Sequence, residues 1–577
     1  MGENEIGPKK KRKLFKTLNK KQKIGIGTTG IIAIAAIVSG VYFFWELQEK
    51  SEPIFICGLN DKPDSIDPLI NPGPKYVNLM ILDQITEGLF TYDQNKTDTP
   101  IVPNLALNGS WSPDHLNFTC TLRQNVTFHD GTPFNAAAVK WNFERIYRFS
   151  KIMQYNQIWA WNYSYHNSEG KTYINHTVII DDYTIRFVLN QPYVPIKDLL
   201  ALWQSYILSP TSTPENEPLS IYTDKLIGTG PFIFDSCQVD IDGYIIKTEM
   251  SANPHYWGGK PSINKVTFLY LNDIERMDRM LSGELSYAMG VRDDTILDTF
   301  RDTPEITVMQ KTGLSFLYLN MNNQKVNVTM RRAISYAFNY IHYIKEFWGG
   351  HAVRAKSPIP KQIRYSNWDD FDVPYYNISI TRQILKDANW PGTINLTADD
   401  NITAGNEWEK LVTNNTPLAT YNFSSFHSGM DFIGNLVIED LKQIGVKVNL
   451  NRLTQIEYFD KLYKREFEIF TGGWGAAMLD PVEIINPCYS YKLDGAEANF
   501  CSFNDSQVQQ WMEDALQEFN ETAREQLYFN IQQKIIEELN PVILLVSVIS
   551  YDFWNSDIRG FPINFILKFI LKDVYLI

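Results

Sequence analysis

Apolar positions along this 577-residue chain fall into one uninterrupted run near the N-terminus and, beyond it, into short periodic segments of two kinds. Ile54 to Leu59 is a brief apolar run followed by a Pro/Gly/Asn-rich stretch from Asp61 to Lys75, and the apolar spacing after it predicts a helix over Val77 to Gly88. Leu116 to Phe128 alternates as a strand does, Asp130-Gly131 supplies turn chemistry, and Asn135 is a capping residue for a helix over Ala136 to Arg148. This part reads as α+β. Farther on, Met330, Ala333, Ile334, Ala337, Phe338 and Ile341 recur at helical spacing behind the cap candidates Asn327 and Thr329. A helix over Phe432 to Ile444 ends at Gly445, Val446 to Leu450 alternates, Ile456 to Tyr463 is a further helix and Phe467 to Thr471 a further strand. That order predicts a parallel α/β lobe, in which ligands sit beyond the carboxyl ends of strands, here at Gly472-Gly473-Trp474-Gly475. A long amphipathic helical region from Val508 through Leu539 and a terminal apolar stretch follow, and the chain has no internal repeat.

The uninterrupted run, Ile24 to Trp45, has about 22 uncharged residues, enough to cross a hydrocarbon core of ~30 Å as a helix. Nine basic residues between Lys9 and Lys23 precede it and Glu46, Glu49 and Glu52 follow. The positive-inside rule therefore leaves the tail 1–23 in the cytoplasm and the body outside a cell membrane crossed once. A cleaved signal peptide ending near Val38-Ser39-Gly40 is the competing reading, although the apolar run continues past that point. Gly25, Gly27 and Gly30 spell G-x-G-x-x-G, but no strand precedes them, so they mark no dinucleotide site.

Formal charge sharpens this division. The first 23 residues carry +7 against a chain total of -13, so the remainder carries -20, which argues against a nucleic-acid partner. Five cysteines lack C-x-x-C spacing and eight histidines form no H-E-x-x-H, so no protein-built metal site is predicted. Cys488 and Cys501 lie in what reads as a polar loop, where a disulfide and two reduced thiols are both open. N-x-S/T sequons begin at Asn95, Asn108, Asn117, Asn125, Asn162, Asn175, Asn327, Asn377, Asn395, Asn401, Asn414, Asn422, Asn504 and Asn520, about twice what chance placement gives. They predict a glycoprotein, with Asn-rich composition as the alternative.

Several ordered segments resemble family 5 of the solute-binding proteins that serve ABC importers, the dipeptide, oligopeptide and nickel class. They are Ile85-Thr86-Glu87-Gly88-Leu89-Phe90, then Pro103-Asn104-Leu105-Ala106 through Trp111 and Val126-Thr127-Phe128-His129-Asp130-Gly131-Thr132-Pro133-Phe134 to Arg145, Gly228-Thr229-Gly230-Pro231-Phe232, Asn253 to Pro261, Arg331-Arg332-Ala333, and Gly473-Trp474 with Asp480-Pro481. Their bottom-up reading is mostly architectural. His129-Asp130-Gly131 is turn chemistry, Gly228 and Gly230 let the backbone turn tightly, and Asn253 to Pro261 is a loop with aromatic packing.

The resemblance implies a periplasmic-binding-protein type α/β fold with two main lobes joined by a hinge and an inserted third lobe, preceded here by one transmembrane helix at 24–45. Lobe I would comprise 54–97, 220–311 and 503–577, lobe II 98–219 and lobe III 312–502. Ligand would lie between lobes I and III, and the implied partners are a peptide or other small polar solute, an ABC permease and its ATPase. No cofactor is implied. Gly473, Trp474 and Gly475 are the leading ligand-binding candidates, with Trp159, Trp161 and Asn78 behind them; burial in the core of lobe II is the alternative for the two tryptophans. In peptide-binding relatives an aspartate three residues after the motif tryptophan holds the ligand's amino terminus, and here that position is Ala477. The departure keeps oligosaccharides, capped peptides and metal chelates open. A sensor not coupled to transport uses the same cleft, while a secreted enzyme finds no support, since G-x-S-x-G and zinc motifs are missing from the chain.

Overall fold

The computed structural model describes residues 54–70, 76–149, 165–166, 171–290, 293–493, 498–562 and 568–577, with the backbone alone of 150–152. The basic tail, the expected anchor at 24–45, Asn162, Trp159 and Trp161 lie outside the described residues. Among the described residues no helix is long and apolar enough to cross a membrane.

In chain order the body runs β1 (Ile54–Leu59), α1 (Tyr76–Ile85), β2 (Phe90–Tyr92), β3 (Ile101–Pro103), β4 (Ala106–Trp111), β5 (Asn117–Leu122), α2 (Ala136–Ile152), β6 (Ile174–Asp181), β7 (Thr184–Leu189) and α3 (Ile196–Leu199). It continues through β8 (Phe232–Val239), β9 (Ile245–Ala252), β10 (Lys265–Tyr270), α4 (Asp273–Leu281), β11 (Tyr287–Met289), α5 (Asp294–Arg301), β12 (Ile306–Thr312) and β13 (Ser315–Met321). Next come α6 (Val328–Ala337), α7 (Tyr340–Trp348), β14 (Ala352–Arg354), α8 (Ile378–Asp387), α9 (Ile402–Thr413), β15 (Ala419–Ser425), α10 (Ser428–Lys442), β16 (Val446–Arg452), α11 (Gln455–Tyr463) and β17 (Ile469–Gly475). The chain closes with α12 (Val482–Tyr489), α13 (Ser506–Gln517), α14 (Glu521–Gln533) and β18 (Val542–Asn555), then the short pair β19 (Ile558–Arg559) and β20 (Tyr575–Leu576).

Ten of these strands form one path, β16-β15-β17-β13-β18-β11-β1-β10-β9-β8, with β12 and β14 also paired to β18. β15 is parallel to both β16 and β17, as the strand and helix order predicts, whereas β13 is antiparallel to β17 and to β18. The 14-residue β18 is the strand on which the two ends of the path meet. Its first part, from Val542, pairs with β13 and β14, and its last part, through Asn555, pairs with β12 and β11. A separate antiparallel sheet, β4-β5-β7-β6, carries α2 against it.

Local sequence explains the helix ends. Asn327 caps α6 by accepting from Thr329 N at 2.7 Å, Asn135 accepts from Ala138 N at 3.0 Å, and Gly445 takes the positive φ that ends the α10 segment. Thr454 and Glu457 make a reciprocal capping box on α11. Several expectations are corrected. α10 starts four residues before Phe432 because the His427 ring accepts from Gly429 N and Met430 N. The helical region after Val508 breaks at Glu518, where Asn520 caps a second helix. The alternation from Leu116 ends as a strand at Leu122, since Asn125 adopts φ of 61°. Cys488 belongs to α12 and not to a polar loop, and both it and the buried Cys501 are thiols that form no disulfide with each other, Cys501 Sγ donating to Cys488 O at 3.7 Å.

Candidate functional site

Gly472 to Gly475 are not a loop beyond β17 but its last four residues, registered on β13 as Gly475 with Ser315, Trp474 with Phe316, Gly473 with Leu317 and Gly472 with Tyr318. The glycines are required by their cross-strand neighbours. A Cβ at 473 would sit 2.6 Å from Leu317 Cδ2, and one at 472 would sit 2.9 Å from the Tyr318 ring. On its other side β17 pairs with β15 only through Ile469 and Phe423. Beyond Ile469 no further β15–β17 pair forms among the described residues, and Gly473 and Gly475 are exposed on that edge. An unpaired edge with no side chains in the way is what an extended chain needs in order to add as a further strand.

Trp474 is only 7% exposed, packed into the core, and its Nε1 donates to Glu483 O at 2.8 Å. The following turn folds back on the same helix, with Ala477 N donating to Glu483 Oε2 at 3.1 Å and Ala476 N to Leu314 O at 3.0 Å. A carboxylate therefore stands beside position 477 although the residue there is alanine. Asp480 is fully buried and gripped by both terminal guanidinium nitrogens of Arg524, at 2.7 and 2.9 Å, while Val482 N donates to its Oδ1. Burial alone would raise its pKa, but Arg524, with Arg364 behind it, holds it below the ordinary value.

Arg364, from the segment after β14, crosses to α3. Its Nη2 donates to Asp198 Oδ1 and stands 3.8 Å from Asp480 Oδ2, while its Nε donates to Leu479 O at 3.2 Å. Asp198 also accepts from the Tyr92 hydroxyl at 2.8 Å, and Leu479 N donates to that hydroxyl at 3.3 Å. Burial raises Asp198 in spite of Arg364. Asn78 lies elsewhere, in α1, where its amide donates to Asp64 Oδ1 at 2.6 Å and its oxygen accepts from Asp64 N, fixing the chain after β1.

The sequence motifs converge on a second polar centre. Glu87 Oε2 accepts from Thr229 Oγ1 and Trp257 Nε1, both at 2.8 Å, and Oε1 accepts from the Tyr256 hydroxyl at 2.9 Å. His129 N donates to Gly228 O, and its ring lies 2.9 Å from Gly230 O. Next to Glu87 is a cavity of about 50 Å³, lined among others by Asp83, Thr91, Tyr206 and Lys568. Burial brings Lys568 down to about 8 and Asp83 up to about 6, the opposite charges of each opposing those shifts. Among the described residues no cluster of His, Cys, Asp or Glu could hold a metal ion. Sequence reasoning singled out Gly473 to Gly475 but not Glu483, Arg364, Asp198 or Tyr92. Only Glu483 left a local trace, as an acidic residue in the first turn after Asp480-Pro481.

The model of bacterial extracellular solute-binding proteins, family 5, matches residues 100–495, and the chain belongs to that family. Similar curated proteins include a probable D,D-dipeptide-binding periplasmic protein of Escherichia coli, 24% identical over 487 residues covering 82% of this chain and 85% of that one. A glutathione-binding protein of Pectobacterium atrosepticum is 25% identical, covering 78% of this chain and 80% of that one. Among solved structures, HbpA2 of Haemophilus parasuis superposes with a TM-score of 0.74 at 22% identity, covering 91% of this chain and 99% of that one. The periplasmic binding protein DppA of Helicobacter pylori, solved with the peptide STSA, gives 0.70 at 23% identity, covering 92% of this chain and 99% of that one. The mixed α/β architecture is therefore the periplasmic-binding-protein fold.

Proposed function

We propose that this extracellular solute-binding protein captures a peptide between two lobes and delivers it to the permease of an ABC importer, its body held at the cell surface by an anchor over 24–45. The carrying observation is the free edge of β17 at Gly473 and Gly475, where a peptide backbone adds as a strand, with Trp474 fixing the strand end from behind. Trp159 and Trp161 complete the proposed ligand set, whereas Asn78, buried and held on both sides of its amide by Asp64, is left out of it. The lobes are 54–97 with 220–311 and 503–577, then 98–219, then 312–502, and the chain crosses between the first and third at 311–312, where β12 ends before β13, and at 502–503, before α13. Peptide as the solute class is supported by the relatives, named for D,D-dipeptide and glutathione binding. The protein is a carrier and not an enzyme. Sequon asparagines such as Asn95, Asn125, Asn395 and Asn504 are exposed, as a surface glycoprotein needs.

The test is calorimetric titration with tetraalanine and N-acetyl-tetraalanine. With alanine at 477, wild type binds the two forms alike, and Ala477→Asp favours the free amine by about tenfold through one charge-assisted bond. Tight wild-type binding abolished by acetylation means that another carboxylate holds the amine. Failure of both peptides to bind, with a sugar or metal chelate retained in native mass spectrometry, overturns the peptide assignment.

A further inference from the structure

We infer that His427 is a proton-sensitive cap, which holds the first turn of α10 in neutral solution and releases it in acid, and that this release loosens solute at the edge of β17. The second half of the inference rests on the peptide site proposed above. α6, α8, α9 and α14 are capped by the amide oxygens of Asn327, Asn377, Asn401 and Asn520, which remain acceptors in acid and in base. At α10 the acceptor is a ring nitrogen, His427 Nδ1, to which Gly429 N donates at 3.1 Å and Met430 N at 3.3 Å. An imidazole accepts there only while neutral, with its proton on Nε2. Protonation turns Nδ1 into a donor, so both bonds are lost and a positive charge stands at the positive end of the helix. The capped turn and the protonated ring exclude each other, and the local stability of the turn therefore falls as pH falls.

His427 is exposed, so a proton reaches the ring without unfolding. The charged groups beside it are Asp431, in the first turn of α10, and Arg452, from β16, which pair with each other at 3.0 Å. From β15 the Phe426 ring stands edge-on to the imidazole at 4.7 Å, and Phe347 of α7 lies close to Gly429. Ser425 donates to Asp431 Oδ1 at 2.6 Å and, with Arg452 behind it, keeps Asp431 below the usual carboxylate range. That carboxylate stays ionised between pH 5 and 8, the interval in which an imidazole ordinarily changes charge. The turn also touches the root of the solute edge. Met430, whose N–H His427 holds, packs with Phe426 on the cluster of Tyr458, Phe467 and Phe470, and Phe470 follows Ile469, where β17 parts from β15. A frayed first turn withdraws Met430 from Phe470 and weakens the support of the strand that carries Gly473 and Gly475.

The experiment follows hydrogen exchange of the full chain by mass spectrometry, corrected for the pH dependence of the chemical rate, over fragments spanning 427–434 and, as a control, 520–527. From pH 8 to pH 5 wild type loses about fivefold to tenfold of its protection at α10 and none at the Asn520-capped α14. His427→Asn keeps its protection at both pH values, and His427→Ala lacks it at both. Calorimetric titration then uses N-acetyl-tetraalanine, whose blocked amine does not titrate. Wild type binds it more weakly at pH 5 by a similar factor, and His427→Asn binds it equally at both. Equal wild-type protection at the two pH values overturns the inference, as does a fall of the same size in His427→Asn, which assigns the proton to another group. Lost protection with unchanged peptide affinity overturns its second half. If no variant binds N-acetyl-tetraalanine while the exchange pattern holds, the cap stands and the peptide site falls.

Discussion

Glu87→Gln and Glu87→Leu separate two roles that a buried carboxylate can have, as an acceptor and as a charge. Glu87 Oε2 faces Thr229 Oγ1 and Trp257 Nε1, and Oε1 faces the Tyr256 hydroxyl. A glutamine with its oxygen at the Oε2 position keeps the first two bonds, and the Tyr256 hydroxyl turns its proton away and accepts from the amide. Only the Tyr256 proton gives up its acceptor. Two bonds lose their charge assistance, while a carboxylate whose pKa burial already raises is no longer held in the interior, so the net loss is about 1–2 kcal/mol. Leucine offers no acceptor. Three donors from three segments are stranded at ~1–3 kcal/mol each, and the loss rises to about 4–6 kcal/mol. Urea unfolding followed in parallel by tryptophan fluorescence and circular dichroism reads both variants against wild type. Glutamine as costly as leucine refutes the acceptor argument and makes the negative charge beside Lys568 and Lys572 the important quantity. Leucine as mild as glutamine means that the three bonds contribute little.

Asp440, 8% exposed with Asn339 N donating to it at 2.8 Å, is pushed up to about 7 by burial. Between about pH 4 and 7 the folded state binds a proton that the unfolded state has lost, so this group lowers stability as pH rises through that window. Asp440→Asn removes that part of the slope and stabilises by about 1–3 kcal/mol at pH 8, measured as unfolding midpoints from pH 4.5 to 8; a difference that does not vary with pH contradicts it. At Gly228 a Cβ would lie 2.1 Å from Ile85 O, against backbone that cannot yield, whereas at Gly313 the nearest atom is Ser315 Oγ at 3.4 Å. Gly228→Ala therefore costs about 2–3 kcal/mol and Gly313→Ala a few tenths, and equal denaturation midpoints for the two variants exclude this steric account.

What was legible in the sequence is what neighbours in sequence decide. Asn327, Asn135 and Gly445 act within one turn of the helices they bound, and the alternation of Val446 to Leu450 reports a strand with one buried face. The motifs gave the family and its fold, and their architectural reading holds at Glu87, Gly228 and His129. Partners far along the chain were not legible. The donors to Glu87 are 142, 169 and 170 residues away, and Asp198 and Arg364 are 166 apart. The Gly-Gly pair at 472 and 473 reads as a loop because its reason for being glycine, the Leu317 and Tyr318 side chains, belongs to another strand. Glu483 reads as an ordinary helix-start acid because only the fold brings Ala477 N beneath it.

β18 has a consequence for how the protein is made. It is the last long strand of the chain; among the described strands β12 pairs only with it, while β13, already paired with β17, and β11, already paired with β1, complete their second edges with it. Until Val542 to Asn555 have been synthesised, a nascent chain holds two incomplete sheets whose central edges are unpaired, so folding of either half is deferred almost to the end of translation. The separate sheet β4-β5-β7-β6 is complete by Leu189, so it is the main sheet alone that waits for β18. Until then the unpaired edges of the main sheet are open to pairing with other chains, and that exposure is longest in the interval between emergence of β13 and arrival of β18.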